Sequence, residues 1–257
     1  MELDNLIRNM EGFGKRSLLT LAVLGALTSC SDPKERIVYR DNPRQNQKQD
    51  SPSQNTNNNP HSNSPMQNQS VIIKEKVRIK AIADAYVSED QQTKNYGNEI
   101  YLIVSPKEFQ GRPSESRAYI QFPSIQDYLP KNKKIYIDKA KLKIWTSNDA
   151  SITSNPIVNV HSVLSPWEES SITWQYQPRV ESSVTDFNQQ ISSDGNQKKF
   201  DITSAVRNWI REEPEYGFMI NAVSAKGIAA FLSKEFSGGT YKGVRTPEME
   251  ILYEYDK

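Results

Sequence analysis

The chain has 257 residues, which allows one or two domains, and it carries 32 Lys and Arg against 31 Asp and Glu. This balance excludes a nucleic-acid-binding protein that relies on a broad basic surface, although a local basic patch could still meet a polyanion. One cysteine and two histidines exclude an intramolecular disulfide and most zinc sites.

An apolar segment near the N-terminus, residues 17–27, follows two basic residues. Its 11 residues are too few to cross a bilayer, which needs about 20, but they fit the apolar part of a signal peptide. The Leu-Thr-Ser-Cys sequence at positions 27–30 resembles the lipobox of bacterial lipoproteins, in which the cysteine thiol receives a diacylglyceride and the chain is cut just before it. We therefore predict that residues 1–29 are a lipoprotein signal peptide.

Cys30 is the predicted point of lipid attachment, which makes the membrane a predicted partner. Several acyl chains, palmitate among them, hold a protein stably at a membrane, because one chain alone gives only marginal binding. Ser31 follows the cysteine, whereas an Asp at that place often retains Gram-negative lipoproteins in the inner membrane. The resemblance therefore implies the bacterial cell envelope, and the outer membrane if the host has one.

Residues 30–70 combine the lipid-bearing cysteine with a polar segment that is dominated, from Gln45 onwards, by Asn, Gln, Ser and Pro. Such a composition buries too little apolar surface to offset the loss of chain entropy, so we predict a disordered tether. A flexible chain of this length spans about 35 Å on average. Self-association of an Asn/Gln-rich segment is the alternative, and the prolines at 52, 60 and 65 disfavour it.

Alternating apolar and polar residues recur through residues 71–257, which we predict to form one domain. The clearest case is Ile135–Trp145, in which the alternation slips in phase near Asp138. A less regular alternation around Ile251 predicts the last strand. The nine other predicted strands are Val71–Ile79, Ile82–Val87, Glu99–Val104, Arg117–Phe122, Pro156–Leu164, Ser171–Gln175, Lys198–Ile202, Tyr216–Ala222 and Ala229–Lys234.

One helix is predicted, with Val206 and Trp209 on one face, a cap at Thr203 or Asp201, and an end before Pro214. Many short strands with a single small helix are typical of an all-β protein. The predicted fold is a jelly-roll-like β-sandwich of roughly ten strands with one short helix, preceded by the signal peptide and the linker.

A series of short motifs follows the predicted strands in order across residues 80–255. They are Asp84–Val87, Asn95–Gly97, Arg117–Phe122, Ala140–Ile144, Trp167–Trp174, Phe200–Thr203, Tyr216–Phe218, Phe231–Glu235 and Pro247–Ile251. The ordered set resembles DNRLRE domains, which are similar to jelly-roll carbohydrate-binding modules. Some of those modules are linked to alginate and to polysaccharide lyases, and many others occur in bacterial surface proteins without an assigned ligand. The resemblance implies a non-catalytic module that binds polysaccharide.

Basic residues suggest where an acidic glycan would bind. Lys139, Lys141 and Lys143 lie on one side of a predicted strand, directly after a lysine-rich stretch at residues 131–134. Such a surface could meet an acidic polysaccharide through charge and hydrogen bonds. The alternative is a solvated strand face, where lysines prevent aggregation between sheet edges.

Arg117 and Trp167 are two further candidate ligand-binding residues. The guanidinium of Arg117 could pair with a uronate, or with a carboxylate of the domain such as Glu235. The indole of Trp167 could stack on a sugar ring, or pack into the interior as large aromatic side chains usually do.

A metal site is predicted from Glu89, Asp90 and Asn95, which lie close together in one predicted loop. Calcium prefers such oxygen ligands, but the spacing fits no EF-hand, and a solvated polar loop is the alternative. Structural calcium is therefore the one metal that we consider, and no cofactor is predicted.

The sequence contains no nucleophile elbow, no phosphate loop and no pair of histidines for metal-assisted catalysis. The favoured function is a surface lipoprotein whose non-catalytic module binds a polysaccharide, with an acidic glycan such as alginate as the ligand. A structural or protein-interaction module of the cell envelope is one alternative. A polysaccharide lyase or hydrolase is another, because two carboxylates alone can support glycosidase chemistry. Nucleic acid is not an expected partner.

Overall fold

The computed structural model describes residues 37–39, 71–109, 112–148, 155–192, 194–211, 214–224, 227–236 and 245–257, and for 37–39, 108–109 and 112–113 it describes the backbone alone. The predicted signal peptide, Cys30 and most of the predicted tether lie outside these residues. Signal peptide and lipid attachment therefore stay predictions.

The described residues contain fourteen strands and one α-helix. The strands are β1 (Ile37–Tyr39), β2 (Ile72–Lys80), β3 (Ala83–Ser88), β4 (Tyr101–Val104), β5 (Glu108–Phe109), β6 (Arg112–Pro113), β7 (Ser116–Gln121), β8 (Ile135–Trp145), β9 (Ile157–Ser162), β10 (Asp186–Gln190), β11 (Gln197–Asp201), β12 (Phe218–Ala222), β13 (Ala229–Leu232) and β14 (Glu248–Asp256). The helix, α1, is Thr203–Trp209.

Two five-stranded antiparallel sheets face each other across a common core. Sheet A has the strand order β1-β2-β14-β8-β11, and sheet B has the order β10-β9-β12-β7-β3. A ribbon of β4 and β13 joins them, because Thr146 beyond β8 bridges to Phe231, and Ser105 beyond β4 bridges to Ser116. The prediction of an all-β sandwich with one short helix is confirmed.

Strand β8 shows why the alternation of the sequence slips in phase. Its buried apolar residues are Ile137 and then Ala140, three positions later, followed at alternate positions by Leu142 and Ile144. The pairing of β8 with β14 shifts its register at the same place, between Leu252 and Tyr253, which is a β-bulge. The extra residue turns the rest of the strand so that its apolar side chains still face the core.

Helix α1 closes one end of the sandwich. Val206 and Trp209 are buried, and the Trp209 ring lies 4.9 Å from that of Phe218 in sheet B. The residue at the cap position is Ile202, and the Asp201 carboxylate before it accepts the backbone N–H of Thr203 at 3.0 Å. Of the two predicted capping residues, Asp201 therefore bonds the helix start.

A second apolar cluster lies on the outer face of sheet B, beneath residues 163–181, which we call the covering segment. Trp167 and Ile172 of this segment are buried with Tyr119 and Met219 of the sheet. The predicted strand Ser171–Gln175 is wrong, because the backbone N–H groups of Ser171, Ile172 and Gln175 bond to the oxygens of turns or loops instead of to a neighbouring strand.

Strand β1 lies inside the predicted tether and pairs with β2. Its sequence, Ile-Val-Tyr, consists of residue types that favour extended backbone, unlike the Asn- and Gln-rich stretch that follows. The structure therefore describes one short strand inside the predicted tether, and the tether itself stays a prediction. No helix among the described residues has the length and apolar character to span a membrane.

Candidate functional site

The predicted lysine stripe of β8 lies on the outer face of sheet A, beside acidic residues of β14 that the sequence analysis did not pair with it. Lys143 is only 6% exposed, and its Nζ lies 2.5 Å from Oε2 of Glu250 and 3.4 Å from Oε1 of Glu248. Lys141 faces Glu250 across the same ladder, and Lys139 is exposed. The stripe is therefore partly neutralised, and its role in binding a ligand stays a prediction.

Glu250 forms ion pairs with cations on both neighbouring strands. Besides Lys143, it contacts Arg78 at 3.2 Å and Lys76 at 3.8 Å on β2. Burial opposes ionisation of this carboxyl, but Lys143 and the two β2 cations outweigh it and hold the pKa of Glu250 below its ordinary value. A column of acids between two columns of bases gives this face a mixed charge rather than a positive field.

Lys143→Ala is expected to lower stability by about 1–2 kcal/mol, because it removes a nearly buried cation from two carboxylates. Lys139→Ala, at an exposed position of the same strand, should change stability by less than about 0.5 kcal/mol. Urea unfolding of both variants followed by tryptophan fluorescence checks this. Equal small effects would show that Lys143 is not an integral part of the ladder.

Arg117 fastens the covering segment to sheet B. Its Nε donates to Oε1 of Glu115 at 2.6 Å, its Nη1 donates to Oε1 of Gln177 at 3.1 Å, and its guanidinium lies 4.8 Å from the centre of the Trp174 ring. Tyr119 donates its hydroxyl to the same Gln177 oxygen at 2.8 Å. The partner carboxylate is Glu115 rather than Glu235, and these bonds occupy the side chain that was predicted to meet a uronate.

Trp167 is 9% exposed and packs against Tyr119, with the ring centres 5.8 Å apart. Its indole N–H donates to the backbone oxygen of Tyr216 at 3.0 Å, so the polar edge of the ring is satisfied as well. A ring in this position holds the covering segment in place and presents no open face to a sugar.

The three residues of the predicted calcium site take different places. Glu89 and Asp90 lie in a single turn of 3-10 helix, whereas the Asn95 side chain donates to the backbone oxygens of Glu169 and Ile172 at 2.8 Å each. In the part of the chain that the structure describes, no three or more His, Cys, Asp or Glu side chains are grouped so as to hold a metal ion. Asn95 thus binds the covering segment, and structural calcium at this loop stays a prediction.

A cavity of about 660 Å³ opens at the end of the sandwich where β8 begins. It lies between the loop before β8, the first residues of β8, and the end of α1. The residues that line it are Gln126, Leu129, Lys133, Lys134, Ile135, Tyr136, Ile137, Arg207, Ile210 and Arg211. Four of these described lining residues are cations and none is acidic, which distinguishes the cavity from the mixed outer face of sheet A.

Arg207 is held rigidly in the cavity wall. Its Nε and Nη2 donate to the backbone oxygen of Ile137 at 3.0 and 2.9 Å, and Nη2 also donates to the backbone oxygen of Asp138 at 3.2 Å. Backbone carbonyls satisfy these N–H groups without contributing a full negative charge. The guanidinium therefore keeps its positive charge at a fixed position.

An aromatic side chain and a lysine also line the cavity. Tyr136 is 45% exposed, and Nζ of Lys134 lies 5.0 Å from the centre of its ring. A hydrogen bond to Tyr136 raises the pKa of Lys134, so the amine stays charged at neutral pH. Cations beside an exposed ring and apolar side chains suit a ligand that is anionic and has apolar faces.

The sequence analysis found only half of this cation group. It included residues 133 and 134 in the basic stretch before β8 but missed Arg207 and Arg211. Their spacing of four residues carried a signal, because side chains four apart lie on the same face of a helix. Their approach to the basic stretch depends on how α1 packs against β8, which the spacing does not show.

The β-sandwich thus carries at one end a cavity of a size typical of small-ligand sites. The model of carbohydrate-binding module family 96 matches residues 75–241, which is more than half of the chain. The protein belongs to this family. No curated protein matches the sequence. The predicted likeness to carbohydrate-binding modules is confirmed, and the finer likeness to DNRLRE domains stays a prediction.

Proposed function

We propose that the domain is a non-catalytic module that binds an acidic polysaccharide in the basic cavity at the end of the sandwich. The observation that carries the proposal is the group of four cations among the described lining residues, none of which is acidic, in a chain of a carbohydrate-binding family. A uronate chain such as alginate is the ligand of choice for a first experiment.

The chemistry of the lining matches a uronate. Because Arg207 already donates through Nε and Nη2 to backbone oxygens, Arg211 supplies the planar fork of N–H groups that suits a carboxylate, and lysine adds a compact charge at a second point. The apolar side chains of Leu129, Ile135 and Ile210 can contact the C–H faces of a sugar ring, and Tyr136 offers an exposed aromatic face.

The described tryptophans argue against a flat aromatic platform for neutral glycans. Trp167 and Trp209 are buried, and the guanidinium of Arg117 lies over Trp174. Arg245 lies over the ring of Trp145 in the same way, at 5.0 Å. With those rings covered, charge is the main means of recognition that the cavity offers.

Calorimetry with alginate and with a neutral glucan tests the proposal on the chain carrying Cys30→Ala, which removes the predicted lipidation site. The double variant Lys133→Ala/Arg211→Ala should weaken alginate binding about tenfold or more, because each lost charge-assisted contact contributes roughly 1 kcal/mol. The matched control Lys139→Ala/Lys141→Ala also removes two positive charges, but from the lysine stripe outside the cavity. It should change the affinity by less than about twofold.

Four outcomes of that experiment count against the proposal. Equal weakening by both double variants would place the site on the lysine stripe, or reduce the binding to non-specific attraction. Equal affinity for alginate and the neutral glucan would exclude recognition by charge. Shortening of alginate chains during incubation would show an enzyme, and no binding at all would favour a protein-interaction module of the envelope.

Binding of alginate should weaken steeply with salt, since the contacts at the exposed rim of the cavity are screened beyond about 8 Å at physiological ionic strength. Calorimetric titrations at low and high sodium chloride measure the change. Binding that is insensitive to salt would indicate a neutral mode of recognition.

We also propose that the protein is a lipoprotein of the bacterial cell envelope, attached by lipid at Cys30. Support comes from the apolar segment at residues 17–27 and the Leu-Thr-Ser-Cys sequence that ends it. Mass spectrometry of the mature N-terminus should find an acylated Cys30, and Cys30→Ala should release the protein from membranes. An unmodified N-terminus that lies before Cys30 would contradict this half of the proposal.

A further inference from the structure

Strand β1 adds an edge to sheet A from a stretch of the chain that precedes the domain by more than thirty residues. The backbone register is antiparallel and unbroken, with Ile37 opposite Lys76, Val38 opposite Glu75, and Tyr39 opposite Lys74. The edge of β2 is therefore covered by the chain's own N-terminal side.

Two lengths of chain can be compared as the link between Cys30 and the domain, one that ends at β1 and one that ends at β2. Ile37 is seven residues from Cys30, and seven residues span at most about 25 Å when fully extended. Val71, directly before β2, is 41 residues from Cys30, and that length could span up to about 140 Å. Because β1 is paired with β2, the shorter of these two lengths limits how far the domain can lie from Cys30.

We infer that β1 fastens the domain close to its membrane attachment, so that the seven residues from Cys30 to Ile37, rather than the 41 residues to Val71, set its reach. This inference rests on the proposed lipidation of Cys30. The pairing itself does not depend on lipid, and the two can therefore be tested separately.

The attachment also orients the domain. Tyr39 pairs near the start of β2, and in the same sheet Ile73, Tyr255 and Ile135 lie side by side across β2, β14 and β8. The start of β8 lines the basic cavity. β1 therefore attaches the domain near the end of sheet A that carries the cavity.

Cross-linking tests the pairing. In the full chain, Tyr39→Cys with Lys74→Cys should form a disulfide under mild oxidation, because directly opposite residues have Cα atoms about 4.5–5.5 Å apart. The control pair Tyr39→Cys with Lys80→Cys should not, since Lys80 lies six residues further along β2, about 20 Å away. Both pairs are also made in a Cys30→Ala background, where no other thiol exists.

Energy transfer to the membrane tests the reach. A dye on Ile82→Cys, an exposed site just beyond β2, reports on the distance to acceptor lipids in vesicles that carry the acylated protein. Ile37→Pro/Val38→Pro removes at least one ladder bond of β1, because consecutive residues alternate in their bonding. This variant should lower the transfer, whereas prolines placed at Gln54 and Asn55 should leave it unchanged.

The results separate the inference from the proposal on which it rests. No Tyr39–Lys74 cross-link in either background overturns the inference, whatever the state of Cys30. A cross-link in the Cys30→Ala chain together with an unacylated wild-type protein overturns the lipid attachment and leaves the pairing intact. Acylated protein that forms the cross-link, yet shows equal energy transfer with and without the β1 prolines, overturns the claim that β1 sets the reach.

Discussion

The free energy of unfolding of the wild-type domain is expected to fall by about 4 kcal/mol as the pH rises from about 4 to about 7. The variant Asp84→Asn should remove this fall. Asp84 is 1% exposed, and burial, which outweighs its hydrogen bond from Lys234, raises the pKa of its carboxyl to about 7. Glu169 and Glu235 raise it further, whereas the charge of Lys234 opposes them.

The surroundings explain why the carboxyl resists ionisation. Oδ2 of Asp84 accepts the backbone N–H of Lys234 at 2.7 Å, while its buried Oδ1 has no hydrogen-bond partner among the described residues. The Lys234 ammonium is drawn to Glu169 at 3.1 Å and to Glu235. Its charge is therefore shared with two other carboxylates.

The direction of this pH dependence follows from the number of protons bound in the folded and unfolded states. Between about pH 4 and pH 7 the unfolded chain has lost the Asp84 proton and the folded domain keeps it, so rising pH favours unfolding. The contribution of Asp84 to stability is full below about pH 4 and is lost once the pH passes about 7. Asparagine has the same shape and no charge, so the difference between variant and wild type should grow across this window and then level off.

Urea unfolding at a series of pH values measures this difference. Asp201→Asn is the matched control with the opposite sign. Burial opposes ionisation of Asp201, but hydrogen bonds from the hydroxyl and N–H of Thr203 outweigh it and lower the pKa of this carboxyl. Asp201→Asn should therefore be less stable than the wild type at pH values above the ordinary pKa of Asp. An Asp84→Asn variant that follows the wild-type pH profile would show that the carboxyl is ionised in the folded domain.

Gly217→Ala is expected to cost about 3 kcal/mol or more, or to prevent folding. Gly217 has a φ of +89°, and an added Cβ would lie 2.1 Å from the backbone oxygen of Ile120 and 2.9 Å from Cα of Gln121. These are backbone atoms of β7, the strand that pairs with β12 directly after the glycine. Relief of the clash would require the separation of neighbouring central strands in sheet B.

Gly195→Ala separates the steric effect from the cost of the left-handed backbone. Gly195 also has a positive φ, +67°, but the atom nearest to an added Cβ would be the Asn148 Cβ at 3.1 Å. The expected loss is about 1–2 kcal/mol. Thermal and urea unfolding of the two variants provides the comparison, and similar losses would mean that the backbone around Gly217 adjusts freely.

Period-two alternation predicted most strands of the domain, because most of them bury one face against the other sheet. It gave β8 its observed bounds, and it placed the slip at the bulge beside Asp138. It missed β10, whose sequence Asp-Phe-Asn-Gln-Gln has a single apolar residue, 65% exposed. An edge strand of this kind forms because β9 offers backbone partners, and no pattern of burial marks it.

The covering segment shows the opposite error, because a strand was predicted there and none forms. Ile172 and Trp174 alternate as in a strand, yet both side chains pack against sheet B from a chain of turns. Gly97 shows how close the approach is, because a Cβ there would lie 2.4 Å from the backbone oxygen of Glu169. Alternation reports which side chains are buried and says nothing of whether the backbone has a neighbouring strand.

The candidate site was harder to predict than the fold, because charge depends on neighbours from distant regions of the chain. The lysines of β8 looked like an open basic surface until β14, more than a hundred residues later, placed Glu248 and Glu250 beside them. Arg207 joined the basic cavity through tertiary packing alone. Single residues were thus predicted with the right charge and with the wrong surroundings.

Strand β14 also determines when the domain can fold. It is the last described strand in the chain, yet it lies at the centre of sheet A, between β2 and β8. Its pairing joins Ile72 to Asp256, and contacts so distant in sequence make folding slow. Sheet A cannot assemble before β14 has been synthesised, so the nascent chain keeps an incomplete sheet for most of its time on the ribosome. Late closure of this kind suits the export that we propose, because a chain that passes through a narrow secretion channel must still be unfolded when it arrives there.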